Sequence, residues 1–90
     1  MSKVQIFFIY AENCPDCNSA KIELTAAIQE FGAECDVKKF NCEDRVAVNI
    51  AIANDISDIP ACVIGNGVAV FQGKDFLKSK ILTAIKKASS

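Results

Sequence analysis

Cys14 and Cys17, separated by Pro15 and Asp16, are the residues of this chain best suited by type and spacing to do chemistry. Thiols at this spacing at the start of a helix lie on adjacent turns, close enough to close a small disulfide ring and to reopen it. Their positions make them unequal. Cys14 falls at or just before the first helical residue, where unpaired backbone N–H groups and the positive end of the helix dipole stabilise a thiolate. Cys17 falls one turn further, on the apolar face, where a thiol is less exposed and less acidic. In thiol–disulfide exchange this asymmetry assigns roles: Cys14 attacks a substrate disulfide, and Cys17 attacks the mixed disulfide and releases the reduced product. The Asp16 carboxylate disfavours a charged sulfur beside it, and Lys21, a turn further along, offsets part of that effect. The expected couple is therefore a comparatively reducing one.

The same spacing is half of a zinc site, but a zinc site needs two further ligands. The chain has no His, and Cys35, Cys42 and Cys62 are scattered without a second C-x-x-C knuckle, so no metal site is assigned. A metal or iron–sulfur module, in which Cys14 and Cys17 ligate and a second subunit completes the shell, stands as an alternative from a different class. Cys62 reads as a small buried hydrophobe. Cys35 and Cys42 mark the two ends of one extended segment and are too far apart to pair. These three are expected to be spectators.

Ninety residues, 51% hydrophobic and 23% charged, fit one small globular domain spanning residues 1–90. The net charge of -1 offers no field for a polyanion, and the lysines cluster only near the end of the chain, where they suit the solvated face and C-terminal turn of a helix. Neither nucleic acid nor membrane is an expected partner, because the longest apolar run, residues 4–11, is too short to span a bilayer. With no secretory signal to read and an odd count of five cysteines, the expected location is a reducing cytoplasm and the expected state a monomer.

The elements that must position the two sulfurs follow from periodicity. Residues 4–10 are almost uninterrupted Ile, Phe and Val, as in a central strand covered on both faces. After a turn at Glu12-Asn13, Cys17, Ala20, Leu24, Ala27, Ile28 and Phe31 recur at helical steps until Gly32. Residues 35–40 form a second strand. Asn41 to Asp44 supply caps and first-turn acids for a helix over residues 43–53 that stops at Asn54-Asp55. Pro60 introduces a strand over 61–64, joined by a two-residue Asn66-Gly67 turn to a strand over 68–71. Past Gly73, Leu77, Ile81, Ala84, Ile85 and Ala88 line one face of a final helix. The order β-α-β-α-β-β-α implies an α/β fold with a mixed four-stranded sheet flanked by three helices.

Tyr10-Ala11-Glu12-Asn13-Cys14-Pro15-Asp16-Cys17 and Ile59-Pro60-Ala61 resemble, respectively, the active-site segment and the cis-proline loop of the thioredoxin/glutaredoxin superfamily. The resemblance extends over nearly the whole chain and implies a thioredoxin-like fold and protein dithiol–disulfide oxidoreductase activity. It implies a cis Ile59-Pro60 bond facing the sulfurs, with the Ile59 backbone free to pair with an extended substrate segment. Tyr10, Pro15, Ile59 and Pro60 would form the apolar surface that meets a partner, and Gly73 would allow close approach of its backbone. Lys39 matches a lysine of the second strand in this pattern and would pair with thiolate charge. The implied partners are protein disulfides and a reductase or thiol donor, with no cofactor beyond the Cys14–Cys17 disulfide itself.

Several residues depart from the family pattern. Asn13 replaces the thioredoxin Trp, and Phe8 stands where thioredoxins carry a buried acid that relays a proton. A glutathione-dependent glutaredoxin is the alternative within the same class, with glutathione as co-substrate. Against it, Asp58-Ile59-Pro60 replaces the usual Thr-Val-Pro, so that Asp58 meets the glutathione carboxylates with like charge, and Gln72-Gly73-Lys74-Asp75 keeps one glycine of the usual pair. A redox-inactive domain that holds a peptide in the Pro60 groove is a third reading.

Overall fold

In the computed structural model, which describes residues 3–32 and 35–89, strand β1 (Val4–Tyr10) is buried on both faces. Its alternation divides the interior. Val4, Ile6 and Phe8 point into the larger core, and Ile9 points into a smaller one on the opposite side. Helix α1 (Pro15–Phe31) buries Cys17, Ala20, Leu24 and Ala27, spaced so that they share one face, and the last three join the larger core. Gly32 ends it in the left-handed region, with φ 74°, and donates its N–H to the Ile28 carbonyl at 3.2 Å.

Strand β2 (Cys35–Asn41) runs parallel to β1, as a right-handed crossover through α1 requires. Helix α2 (Arg45–Ala53) then covers the smaller core, and Asn54 closes it by donating from Nδ2 to the Ile50 carbonyl at 2.9 Å. Strands β3 (Ala61–Ile64) and β4 (Ala69–Gln72) complete a sheet of order β2-β1-β3-β4, antiparallel across β1–β3 and β3–β4. Helix α3 (Lys78–Ser89) packs beside α1 and buries Ile81, Ala84 and Ile85 in the larger core. Each isoleucine so buried contributes about 1.5–3 kcal/mol by removal of apolar surface from water. The α/β fold with a mixed four-stranded sheet is thus as the residue order implies.

Glu23 and Glu30 of α1 fix the start of α3. The Glu23 carboxylate accepts from the Lys78 backbone N–H at 3.0 Å, satisfying one of the orphan donors of α3 from a different helix. The Lys78 ammonium lies 2.8 Å from the Glu30 carboxylate and holds that carboxyl below its ordinary range, first by hydrogen bond and then by charge.

Three local expectations are corrected. The β3–β4 turn spans the four residues 65–68 instead of the pair Asn66-Gly67, and β4 begins at Ala69. Gly65, Asn66 and Gly67 all have positive φ, and a side chain on Gly65 would come within 2.6 Å of the Ala88 Cβ. The end of α3 presses on this turn, so the reversal starts one glycine earlier. Helix α2 begins at Arg45, because Asn41 Oδ1 and the Asn41 carbonyl take the N–H groups of Glu43 and Asp44 into a turn. Leu77 precedes α3 and is exposed. Its place in the core belongs to Phe76, which meets Phe8 edge-on at 6.0 Å and Phe71 at 6.2 Å.

Candidate functional site

The turn between β1 and α1 sets the geometry of the two sulfurs. Asn13 has φ 55°, a conformation that Asn tolerates better than a bulky residue, and this reverses the chain so that Cys14 becomes the N-cap of α1 with Pro15 in its first turn. The Cys14 Sγ accepts from the Cys17 backbone N–H at 3.1 Å, in the manner of a capping side chain. Cys14 and Cys17 are joined by a disulfide, their Cα atoms 5.2 Å apart. Cys14 is half-buried and Cys17 is 5% exposed, so the first cysteine is the more accessible of the two.

The Ile59-Pro60 bond is cis, and Pro60 is buried immediately before β3. Asp16, on the exposed first turn of α1, lines one groove of about 480 Å³ with Ile59 and Gly73, together with Ser57, Asp58, Gln72, Lys74 and Asp75. The groove therefore brings the start of α1, the Pro60 loop and the β4–α3 connection to one surface. Tyr10 stands at the end of β1 with its ring 6.5 Å from that of Phe8. Lys39 lies opposite Phe8 in the parallel register, exposed, and no hydrogen bond or ion pair links it to either sulfur.

Two expected roles change on contact with the geometry. The Ile59 N–H is not free, because it donates to Asp58 Oδ1 at 3.1 Å. Gly73, buried with φ 62°, makes room for that carboxylate: a Cβ built on it would lie 2.6 Å from Asp58 Oδ2. Gln72 is a further member of the loop that the residue pattern did not single out. Its Oε1 accepts from the N–H groups of Ser57 and Asp58 at 3.0 and 3.2 Å, and the Gly73 N–H donates to the Pro60 carbonyl at 2.8 Å. A polar residue closing β4 just before a glycine was the available signal.

The other cysteines are free thiols. Cys62 is fully buried opposite Phe8, and burial pushes its thiol up to about 12. Burial also raises the Cys35 thiol. Cys42 donates its N–H to the Tyr10 carbonyl at 2.7 Å and packs on the smaller core. Among the described residues no group of three or more His, Cys, Asp or Glu could hold a metal ion, and no helix is long and apolar enough to cross a membrane.

No family model matches the sequence, and no curated protein is significantly similar to it. Solved structures are similar over most of the chain. An uncharacterized thioredoxin-like protein from Clostridium perfringens is 22% identical over 96% of this chain and 71% of its own, with a TM-score of 0.76. Fasciola hepatica thioredoxin is 18% identical over 96% of this chain and 81% of its own, at 0.68. The germline-specific thioredoxin Deadhead from Drosophila melanogaster is 17% identical over 94% and 80%, at 0.69. With the strand order, the disulfide at the head of α1 and the cis-proline before β3, these likenesses identify the fold of this chain as that of the thioredoxin-like superfamily.

Proposed function

We propose that this chain reduces disulfide bonds in other proteins, with Cys14 as nucleophile and Cys17 as resolving thiol. The observation that carries the reading is the unequal exposure of two bonded sulfurs at one helix N-terminus, Cys14 half-buried at the cap and Cys17 buried behind it. The backbone N–H of Cys17, aimed at the Cys14 sulfur, favours negative charge there once the disulfide opens.

In the reduced chain the Cys14 thiolate attacks one sulfur of the substrate disulfide. A new S–S bond forms, the substrate bond breaks, and the departing thiolate takes up a proton. Cys17 then gives up its proton, and its sulfur attacks the Cys14 Sγ. The second substrate thiol leaves, two electrons have passed to the substrate, and the Cys14–Cys17 disulfide has re-formed. No polar side chain is buried among the described residues and Phe8 is apolar, so the Cys17 proton passes to water or to the leaving thiolate. A dithiol or thiol donor restores the reduced form.

Reduction of insulin disulfides, driven either by thioredoxin reductase or by glutathione with glutathione reductase, tests the reading. Activity is expected with the dithiol-type donor, to vanish in Cys14→Ser, and to leave a trapped mixed disulfide in Cys17→Ser. Full activity in Cys14→Ser with loss in Cys35→Ser or Cys62→Ser would remove the assignment.

A further inference from the structure

Three features of the Pro60 loop converge on one side chain. Asp58 places Oδ1 3.1 Å from the Ile59 nitrogen, so the amide that the family resemblance would offer to a substrate strand already has an acceptor. Its other carboxylate oxygen stands over Gly73, in space that any side chain at position 73 would fill. Its own backbone N–H, with that of Ser57, is held by Gln72 Oε1, which anchors the loop and leaves the carboxylate as the part able to move. Asp58 is exposed, and among the described residues its carboxylate makes no other hydrogen bond or ion pair.

We propose that Asp58 determines substrate selectivity by occupying the Ile59 amide until a substrate backbone displaces it, an inference that rests on the disulfide-reducing reading above. An extended peptide that pairs with Ile59 offers a neutral carbonyl in place of a carboxylate, so the exchange costs a charge-assisted hydrogen bond. A cationic side chain next to the target cysteine offsets that cost by taking up the displaced carboxylate. An anionic side chain there adds repulsion. Asp16 and Asp75 line the same groove with Lys74 and bias it in the same direction. The favoured substrates are therefore disulfides flanked by Lys or Arg, and the disfavoured ones are flanked by Glu, Asp or free carboxylates.

The test uses the reduced full chain and three disulfide peptides identical except for Lys, Gln or Glu beside the target cysteine. Exchange rate constants are measured for the parent, Asp58→Asn and Asp58→Ala. The parent should prefer the Lys peptide over the Glu peptide roughly fivefold, the size set by one exposed charge pair gained against one like-charge pair imposed. Asp58→Asn retains an acceptor for the Ile59 N–H but not the charge, so the ratio should fall to within about twofold while the Gln-peptide rate rises by less than in Asp58→Ala. Asp58→Ala should flatten the ratio and also raise the Gln-peptide rate about two- to fivefold, because the amide no longer needs release. An unchanged Lys-to-Glu ratio in both variants, or an equal slowing of all three peptides in Asp58→Ala, would overturn the proposal while leaving the reducing activity intact. Absence of exchange by the parent with every peptide would overturn both.

Discussion

Replacing Gly73 with Ala probes the contact between the β4–α3 connection and the Pro60 loop. Two contributions can be worked separately. An L-residue at φ 62° lies in the left-handed region, which costs about 1–2 kcal/mol once a Cβ is present. The new Cβ would also lie 2.6 Å from Asp58 Oδ2 and 3.3 Å from its Cγ, so the carboxylate must swing away and lose its bond to the Ile59 N–H. For an exposed side chain the second effect falls near the lower end of the usual range, about 0.5–1 kcal/mol. Together they predict a loss of about 2 kcal/mol, which in a chain of this size lowers Tm by roughly 8–16 °C.

A double-mutant cycle separates the two. In an Asp58→Ala background the carboxylate is absent, so Gly73→Ala should cost only the backbone contribution, and the double variant should be more stable than the sum of the singles by about 0.5–1 kcal/mol. Urea unfolding of the four oxidised proteins, compared at constant slope, measures this directly. Equal costs for Gly73→Ala in both backgrounds would show that Gly73 and Asp58 are not coupled, and the account of the loop would fail with it.

Glu23→Ala removes the acceptor for the Lys78 N–H and should destabilise the chain by about 1 kcal/mol, whereas Glu23→Gln, which keeps an acceptor, should cost less than half of that; equal losses would show that charge and not capping is at stake. Phe76→Ala should cost about 3–5 kcal/mol by thermal or urea unfolding, against no more than about 0.5 kcal/mol for its exposed neighbour in Leu77→Ala, and a reversed order would place the wrong residue in the core. The Cys62 thiol, with an ordinary value of 9.0 raised to about 12, gives a signed pH dependence. The folded chain holds its proton where the unfolded chain releases it, so this contribution is complete below pH 9 and is lost as pH rises through about 12. Three pH units bound the loss at about 4 kcal/mol, and stability curves of Cys62→Ala should be flatter than the parent's over that window. The same burial predicts that Cys62 resists alkylation in the native state, and rapid native labelling at Cys62 would contradict it.

The sequence made the sulfurs and the elements that carry them legible because both are signalled locally. C-x-x-C at a strand-to-helix junction needs no tertiary information, and the periodicities over α1 and β1 are those of a helix with one buried face and a strand with two. What stayed hidden depends on contacts between distant segments. Leu77 fits a helical period as well as its neighbours do, yet Phe76 takes the buried place because Phe8 and Phe71 receive its ring. Asn66-Gly67 is a strong two-residue turn signal in isolation, and the turn grows to four residues because Ala88 of α3 presses against Gly65. The bonds from Ser57 and Asp58 to Gln72 left only a weak signal, a polar residue before a glycine, since a hydrogen bond across fourteen or fifteen residues leaves no periodic trace.

The two walls of the groove come from separate stretches of chain, so their alignment requires an explanation of its own. Asp16 is placed by β1 and the Asn13 turn, whereas Ile59 is placed by β3 and by the Gln72 and Gly73 bonds of its loop. The antiparallel pairing of Ile9 with Ala61 and Phe8 with Cys62 links them, since it fixes the residue after Pro60 against the strand that leads into the Asn13 turn. A strand slipped by one residue would turn Cys62 from the larger core to the opposite face and shift the Pro60 loop relative to the end of β1. The burial of Cys62 therefore has a consequence for the groove: a small side chain at that position keeps β3 in the register that sets the Pro60 loop beside the end of β1. Larger substitutions there should depress exchange without touching either reactive sulfur, and Cys62→Leu, which adds volume to a closely packed position, should slow it more than Cys62→Ala does.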